Sequence, residues 1–380
     1  MVTLVVTTGT GSLDLYAQNL HRNLNMSKIY SDIYQGNAEL FNASFFSLPA
    51  VKTLWRDMHF ITMLNHEKGI VHLPNHHLGR YGLFLNKPYI ITVHDLIRYF
   101  ELRGHNGNFI HRPNFRDRVY LSLDYKGIRK AAHIIAVSHK TKSDLIQHMG
   151  IPEERISVVY EGIDQRLFRP VERRLVDYRY LLYVGTEQPR KNLRNLLRAF
   201  SRIKASDDFK DLKLVKVGGP GTQDFRKETL RAVRDLGLSN DVIFTGYVAE
   251  EDLSAYYSGA ECFILPSFYE GFGFPPLEAM ACGCPVIVSN VTSLPEIVGN
   301  AALLVNPEDI DNLAAAIQVI LTDEGLRREL VSRGLEQASK FTWENAAIDT
   351  KKVYQAVADS VGARYIPAKV IEGTMPTLEN

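Results

Sequence analysis

The sequence has no apolar run that approaches the roughly 18 residues needed for a membrane-spanning helix. Its beginning, MVTLVVTTGTGSLD, lacks the basic segment of a signal peptide, and its apolar run is too short for one. It also has no low-complexity tract that would resist packing, and 45% of its residues are hydrophobic. We therefore expect a folded cytoplasmic protein, with membrane association on the cytoplasmic face as an open alternative.

Cysteine is scarce, with Cys262, Cys282 and Cys284 as the three in the chain. An odd number of cysteines in an apolar stretch favours buried, reduced thiols over a disulfide framework. Cys282 and Cys284 are separated by one residue, and no histidine follows them in the chain, so they lack the further ligands that a zinc site requires. We predict no bound metal.

The chain carries little net charge, +1, which argues against a nucleic-acid-binding protein. The charge is unevenly distributed. Residues 1–170 hold 20 Lys and Arg against 14 Asp and Glu, and the remainder holds 24 against 29. This asymmetry favours two domains with different partners, the first meeting an anionic group or a membrane surface. Random drift in surface charge is the alternative.

Short apolar runs rich in β-branched residues recur along the chain and are typical of strands buried on both faces of a parallel sheet. Amphipathic helical patterns alternate with them, for example Leu193, Leu196, Leu197, Phe200 and Ile203. Together they predict an α/β protein with two parallel-sheet domains. The ten runs are VTLVV, GIVHL, YIITV, HIIAV, ISVVY, YLLYV, LKLVKV, VIFTG, CFILP and PVIVS.

Three stretches interrupt this alternation. Residues 169–179 are polar, contain a proline and separate the two strand series, so we interpret them as a linker. Residues 98–118 combine two glycines, a proline and five arginines, which predicts a long, functional or disordered loop. Residues 362–380 show little periodicity and are expected to form a loosely ordered tail.

Candidate site residues follow the strands, because ligands of parallel sheets bind at the carboxyl ends of the strands. The turn TTGTGS after the first strand contains Gly11 and could approach a phosphate or a sugar, but it lacks the full dinucleotide fingerprint. His94 follows YIITV. His94 is therefore a candidate site residue. The alternative is a structural histidine whose hydrogen bond is made to its neighbour Asp95.

The segment GTEQPRKN follows YLLYV and contains Gly185, Arg190 and Lys191. The two cations stand before an amphipathic helix that we expect to begin near Asn192, a residue suited to N-capping. Cations at a helix N-terminus can hold a diphosphate by ion pairing, hydrogen bonding and the helix dipole. A solvated Arg-Lys pair is the alternative.

The segment SFYEGFGFPPLEAMACGCPV follows CFILP and has two carboxylates separated by seven residues, Glu270 and Glu278. A glycine turn follows Glu270, and the prolines then start a helix that we expect to carry Glu278 in its first turn. The structural alternative makes Glu278 a partner of the helix dipole and Glu270 a solvated acid.

With this spacing, EGFGFPPLEAMACGCPV resembles the signature of the retaining GT-B glycosyltransferases of family 4, the group 1 glycosyl transferases, and is most similar to mannosyltransferases. The resemblance extends over most of the chain, densely in the second half. The other matching segments are AVSHKTKSDL, YEGIDQRLF, YVGTEQPRKNL, FTGYV, LPEIVGNAALLVNP and FTWENAA.

The resemblance implies two Rossmann-like domains facing a central cleft. Residues 1–170 would form the acceptor-side domain and residues 178–345 the domain that binds the nucleotide-sugar donor. A helix at residues 346–361 would return to the first domain.

The resemblance also implies roles for single residues. Arg190 and Lys191 would neutralise the donor diphosphate, and Glu278 would hold the ribose. Glu270 would grip the transferred sugar together with the amides of the residues that follow it. His94 would line the cleft at the sugar. The further donor-binding residues would be Gly11, Gly185, Phe272, Gly273 and Phe274.

The implied reaction moves a hexose, foremost mannose from GDP-mannose, to a glycan or lipid-linked acceptor with retention and without a metal or other cofactor. The turn GTGSL departs from the Gly-Gly pair of many members and puts the role of Gly11 in doubt. Asp309 and Asp311 match a metal-binding Asp-x-Asp pattern, but their context favours a helix cap.

Several alternatives stay open. The donor could be UDP-glucose or UDP-N-acetylglucosamine. The enzyme could be a phosphorylase or an epimerase of the same architecture. A non-catalytic carbohydrate-binding subunit is a different class, disfavoured by the intact charges, and an oxidoreductase is disfavoured by the missing fingerprint.

Overall fold

Two six-stranded sheets organise the chain, and every strand pairing in them is parallel. The computed structural model describes residues 2–7, 11–24, 28–31, 48–104, 113–360 and 362. The strand order is β2-β1-β3-β4-β5-β6 in the first sheet and β12-β11-β10-β7-β8-β9 in the second. Two parallel α/β sheets were predicted from the sequence, and this prediction is confirmed.

Each sheet takes its strands from one part of the chain. The first contains β1 (Val2–Thr7), β2 (Lys28–Ser31), β3 (Ile70–Leu73), β4 (Tyr89–Val93), β5 (His133–Ala136) and β6 (Ile156–Val158). The second contains β7 (Tyr180–Val184), β8 (Lys213–Val217), β9 (Val242–Gly246), β10 (Cys262–Leu265), β11 (Val286–Ser289) and β12 (Leu303–Val305).

Helices alternate with these strands. They are α1 (Ser12–Leu24), α2 (Leu48–His66), α3 (Gly79–Gly82), α4 (Ile97–Arg103), α5 (Phe115–Lys130), α6 (His139–Met149), α7 (Leu193–Ile203), α8 (Gln223–Asp235), α9 (Glu250–Gly259), α10 (Phe274–Ala281), α11 (Leu294–Val298), α12 (Ile310–Thr322), α13 (Glu324–Ser339) and α14 (Trp343–Ser360). Among the described helices, none is long and apolar enough to cross a bilayer.

Buried apolar side chains hold the helices to the sheets. The predicted face of α7, with Leu196 and Phe200 at its centre, packs in the same core cluster as the β7 residues Leu181 and Leu182. Full burial of such a side chain contributes about 1.5–3 kcal/mol each. All three cysteines are buried and free, so the expected reduced thiols are confirmed.

The prediction of a long loop over residues 98–118 is wrong at both ends. Helix α4 covers its beginning and α5 its end, where Asn114 and Asp117 form a reciprocal capping box. Residues 105–112 and 363–380 lie outside the described residues. Residues 169–179 contain no helix or strand and connect β6 to β7, in agreement with a linker.

The last helix, α14, lies against the first sheet. It begins at Trp343, three residues before the expected start, and its buried Tyr354 donates or accepts a 2.6 Å hydrogen bond at His72 Nδ1 of β3. The two segments that cross between the sheets run side by side, because Ile163 N–H donates to the Phe341 carbonyl at 3.0 Å. Helix α14 therefore lies in the same half of the molecule as β1.

Candidate active site

Two neighbouring strand ends of the second sheet bring two cations and a carboxylate together. Strands β7 and β10 pair in parallel, so the segments that follow them meet at one edge of the sheet. Arg190 Nη1 lies 2.8 Å from Glu270 Oε2, and Lys191 Nζ lies 3.0 Å from Glu270 Oε1. Three residues selected from the sequence thus form one cluster, which we call the cation cluster.

Short-range hydrogen bonds fix the cation cluster. Ser267 Oγ donates to Glu270 Oε1 at 2.8 Å, and Arg190 Nη1 also donates to the Tyr269 carbonyl at 3.0 Å. Helix α7 begins directly after Asn192, as expected, but the side chain of this N-cap residue does not cap the helix. Its backbone is left-handed with φ of 57°, and its side-chain amide donates to the carbonyls of Pro266 and Pro307. The cations are therefore oriented before any ligand binds.

The cation cluster keeps an excess of positive charge. Burial opposes ionisation of Glu270, but Arg190 and Lys191 outweigh it and hold the pKa of this carboxyl at about 2. Burial lowers the pKa of Lys191, while the neighbouring Glu270 carboxylate opposes this shift. Two cations face one carboxylate, so the site can accept a further anion.

Glu278 follows the cation cluster along the chain, and the Lys191 ammonium acts to lower its pKa. It stands in the second turn of α10 rather than in the first turn, so the expected helix-terminus position was wrong. Tyr257 Oη donates to Glu278 Oε2 at 2.8 Å. Burial raises the pKa of Glu278 to about 7, and the repulsion of Glu250 adds to the shift. This carboxyl can therefore change its charge near neutral pH.

The loop between the two glutamates is tied to the end of β11. Ser293 Oγ donates to the carbonyls of Glu270 at 2.9 Å and Phe272 at 2.6 Å. Gly273 has φ of 131°, a conformation that favours glycine, and leads directly into α10 at Phe274. Gly185, after β7, packs against the stem of Lys191, and an added Cβ would lie 3.0 Å from Lys191 Cδ.

His94 follows β4 at the carboxyl edge of the first sheet and is buried. Its Nδ1 lies 2.8 Å from Glu161 Oε1, and its Nε2 lies 2.9 Å from the Pro74 carbonyl oxygen. Because a carbonyl can only accept, Nε2 carries a proton. Burial opposes charge on the ring, but the Glu161 carboxylate outweighs it and raises the pKa of His94. Its partner is thus Glu161, not the adjacent Asp95.

The carboxyl edges of the two sheets touch each other. An added Cβ on Gly271 would lie 2.0 Å from the His94 carbonyl oxygen, and Ser138 Oγ donates to the Gly271 carbonyl at 2.7 Å. Glu296 accepts from the backbone N–H groups of His139 and Lys140, both at 3.0 Å, at the start of α6. The cation cluster and His94 therefore lie on opposing walls.

The other candidates have simpler surroundings. Gly11 N–H donates to Asp14 Oδ2 at 3.2 Å, and residues 8–10 before it lie outside the described residues. Asp309 caps α12 by accepting from Asn312 N–H at 2.9 Å, as expected. Asp311 pairs with Arg202. Within the described part of the chain, no group of three or more His, Cys, Asp or Glu side chains could hold a metal ion.

Comparison with known proteins identifies the family. Residues 164–337 match the family described as Glycosyl transferases group 1, and residues 34–167 match Glycosyltransferase Family 4. O-antigen chain mannosyltransferase B of Escherichia coli is 37% identical over 320 residues, which cover 73% of this chain and 83% of that protein. The chain belongs to the group 1 glycosyltransferases. The resemblance drawn from the sequence motifs is thereby confirmed.

A second relative and a solved structure agree with the assignment of this glycosyltransferase to its family and fold. Serotype-specific mannosyltransferase WbdA of Escherichia coli is 30% identical over 277 residues, covering 68% of this chain but 32% of that protein. The crystal structure of Anabaena HepE in complex with UDP and glucose superimposes with a TM-score of 0.75 at 18% identity, covering 93% of this chain and 99% of that chain. The two-sheet architecture is the GT-B fold.

Several residues around the candidate site were not predicted from the sequence. Glu161 and Glu296 lie inside the matching segments YEGIDQRLF and LPEIVGNAALLVNP, so these segments carried a usable signal. Tyr257 and Ser267 had none, because a single hydroxyl in an apolar element is usually structural.

Proposed function

We propose that this glycosyltransferase moves mannose from GDP-mannose to a glycan or lipid-linked acceptor, with retention and without a metal ion. The cation cluster is the observation that carries the proposal. The names of the relatives, O-antigen chain mannosyltransferase B and WbdA, support mannose as the transferred sugar.

The cation cluster suits a diphosphate leaving group. Lys191 is buried and the Arg190 side chain is 13% exposed. Both are preorganised by Glu270 and Ser267, and therefore need no rearrangement when negative charge develops on the diphosphate. Two fixed cations supply the charge neutralisation that a divalent metal provides in other transferases. Metal independence follows from this interpretation.

For a reaction with retention, the engagement of Glu270 favours attack on the leaving-group face over a covalent intermediate. Its carboxylate already accepts from Arg190, Lys191 and Ser267, so it is poorly placed to act as a nucleophile. In the proposed step, the anomeric C–O bond breaks and its electron pair stays on the diphosphate. The acceptor hydroxyl oxygen then bonds to the anomeric carbon from the same face, and its proton passes to a diphosphate oxygen.

The direct test is donor consumption across GDP-mannose, UDP-glucose and UDP-N-acetylglucosamine, with and without EDTA and with and without inorganic phosphate. We expect GDP-mannose to be consumed fastest and EDTA to have no effect. Preference for a UDP-sugar would contradict the donor assignment. Strict dependence on added Mg²⁺ would contradict the metal-free mechanism, and strict dependence on phosphate would identify a phosphorylase.

Glu278 gives a pH prediction for the donor. An ionised carboxylate can accept hydrogen bonds from both ribose hydroxyls, whereas burial keeps the Glu278 pKa at about 7. Raising the pH from 6 to 8 increases the ionised fraction and should lower the donor KM by about tenfold. Glu278→Gln should have a high donor KM that is flat over this range. A wild-type KM that is equally flat would contradict the ribose-binding role.

Peripheral membrane contact fits a lipid-linked acceptor. Helix α2 exposes Leu54, Trp55 and Met58 at 62%, 70% and 60%, and the first 170 residues carry the positive excess noted above. Exposed aromatic and apolar side chains beside basic ones are typical of membrane-surface contact. Failure to sediment with anionic lipid vesicles would contradict this part of the proposal.

A further inference from the structure

Four buried side chains at one edge of the first sheet have a polar atom without a hydrogen-bond partner among the described residues. The atoms are Thr7 Oγ1, Asp14 Oδ1, Asn75 Nδ2 and His76 Nε2. Their residues are 0%, 6%, 0% and 1% exposed. Unsatisfied polar atoms are rare in protein interiors, and several together indicate a group that is missing from the protein alone.

Strand order places these residues at one edge of the sheet. Strands β1 and β3 pair in parallel through Leu4 and His72, so Thr7, the last residue of β1, and Asn75, two residues after the end of β3, both lie at the carboxyl edge. His76 follows Asn75 at the same edge, beside the end of β4. The bond from His94 N–H to His76 Nδ1, 3.3 Å long, agrees with this placement.

Asp14 joins the group from the first turn of α1. Its other oxygen, Oδ2, accepts from Gly11 N–H at 3.2 Å shortly after the end of β1. The edge formed by these residues includes His94, against whose carbonyl Gly271 of the donor-binding half packs. The four atoms therefore lie on the wall opposite the cation cluster.

The hydrogen-bonding capacity of the four atoms is defined by their existing bonds. His76 Nδ1 accepts from His94, so the neutral ring carries its proton on Nε2, which is a donor. Asn75 Oδ1 accepts from His77 N–H, which leaves the amide NH₂ as a donor. The Thr7 hydroxyl can donate or accept, and Asp14 Oδ1 is an acceptor.

This combination fits sugar hydroxyls, which both donate and accept. It does not fit a phosphate or carboxylate, because Asp14 contributes a negative charge and no cation belongs to the set. Burial lowers the pKa of His76 to about 3, so this ring stays uncharged at neutral pH.

We propose that Thr7, Asp14, Asn75 and His76 bind the hydroxyl groups of the uncharged sugar that accepts the transferred hexose. The inference rests on the proposed function and adds the acceptor subsite to it. In this proposal the subsite binds only the acceptor sugar. Any charged or lipid group of the acceptor would lie outside the subsite.

Thr7→Val tests the inference with little change of shape. The substitution removes a hydroxyl that bonds to nothing in the described structure, so thermal unfolding should occur at the same temperature or higher. With GDP-mannose as donor and methyl α-mannoside as acceptor, kcat/KM for the acceptor should fall about tenfold, the loss of one hydrogen bond, and the donor KM should change less than twofold.

Thr350→Val is the matched control. Thr350 lies on α14, is also 0% exposed, and its hydroxyl also lacks a partner among the described residues. Because it lies on the return helix and not at a strand end, this variant should transfer at the wild-type rate. Equal acceptor kinetics in the two threonine variants would overturn the inference and show that the buried atoms bind only water.

Two further measurements complete the test. Asn75→Asp keeps the oxygen that caps His77 N–H but removes the NH₂ donor, so it should weaken acceptor use without loss of the local turn. Mannose 6-phosphate should be a poorer acceptor than methyl α-mannoside, and a better performance would overturn the inference. If the wild-type protein consumed none of the donors, the proposed function would be contradicted. If it used a donor other than GDP-mannose, the acceptor variants would be compared with that donor.

Discussion

Lys191→Ala is expected to lower kcat about 100- to 1000-fold, the effect of removing one preorganised group that stabilises charge in the transition state. Lys191 Nζ lies 3.0 Å from Glu270 in the cation cluster and is held there by a buried stem packed against Gly185. In the proposed reaction, negative charge builds on the diphosphate only as the anomeric bond breaks. In that role the ammonium would stabilise the transition state more than the bound donor, so the donor KM should rise less than kcat falls.

The fold should survive this substitution. Glu270 keeps its 2.8 Å contact with Arg190 and its bond from Ser267, so the buried carboxylate is not left without partners. A buried charge that loses all of its partners is the case that strongly destabilises a protein. Circular dichroism and thermal unfolding should therefore resemble those of the wild type.

Lys204→Ala is the control for the loss of an ammonium group on a side chain of equal exposure. The Lys204 side chain is 11% exposed, as is that of Lys191, and it pairs with Asp241 at 3.1 Å at the opposite end of α7. Initial rates with saturating donor would compare the two variants. If both retained similar kcat, the assignment of Lys191 to the leaving group would be wrong.

The sequence predicted the sheets because a strand buried on both faces must be apolar along its whole length. All ten predicted runs are strands, and the two that were overlooked, β2 and β12, lie at the edges of their sheets. Strand β12 has residues of intermediate, exposed and buried type in succession, so its pattern is that of an ordinary loop. Edge strands need less apolar surface, and their sequences are correspondingly less informative.

The residues of the cation cluster were also predictable from the sequence, because the segments that follow adjacent parallel strands lie at the same edge of the sheet. The pairing inside it was not, since Glu270 is separated from Arg190 by 80 residues and only the structure shows the two bonded. His94 illustrates the same limit. Its partner Glu161 lies 67 residues away after a different strand, whereas its sequence neighbour Asp95 accepts from Ile97 N–H instead.

Contacts between the two halves could not be predicted from the sequence, because they depend on the position of one sheet relative to the other. Glu296 accepts from two backbone N–H groups at the start of α6, where a helix N-terminus favours a carboxylate. Tyr269 Oη donates to Asp144 Oδ2 at 2.7 Å across the same boundary. These contacts join the two halves, and Gly271 takes part in another of them, since its carbonyl accepts from Ser138 Oγ at 2.7 Å.

Gly271→Ala is expected to lower kcat about 100-fold, because a displacement of about 1 Å between catalytic groups and substrate can cost that much. An alanine Cβ would lie 2.0 Å from the His94 carbonyl oxygen and 2.8 Å from Asp95 Cβ, neither of which can rotate away freely. The loop must then withdraw from the first sheet, and the bond from Ser138 Oγ to the Gly271 carbonyl must lengthen or break. The two walls of the cleft would no longer meet around the donor.

This effect should come from domain closure and not from unfolding, and small-angle X-ray scattering can separate the two. Gly271→Ala should show a larger radius of gyration than wild type in the presence of GDP, with an unchanged unfolding temperature. Gly325→Ala is the control, because its Cβ would contact a side-chain oxygen of Asp323 at 3.2 Å in α13, far from the domain boundary. A Gly271→Ala protein that closes normally and keeps wild-type kcat would show that the tight contact at His94 is not needed for transfer. Loss of kcat with normal closure would place the role of Gly271 in the local path of the loop that carries Glu270, since the backbone N–H of Glu270 donates to Thr292 Oγ1 at 3.2 Å.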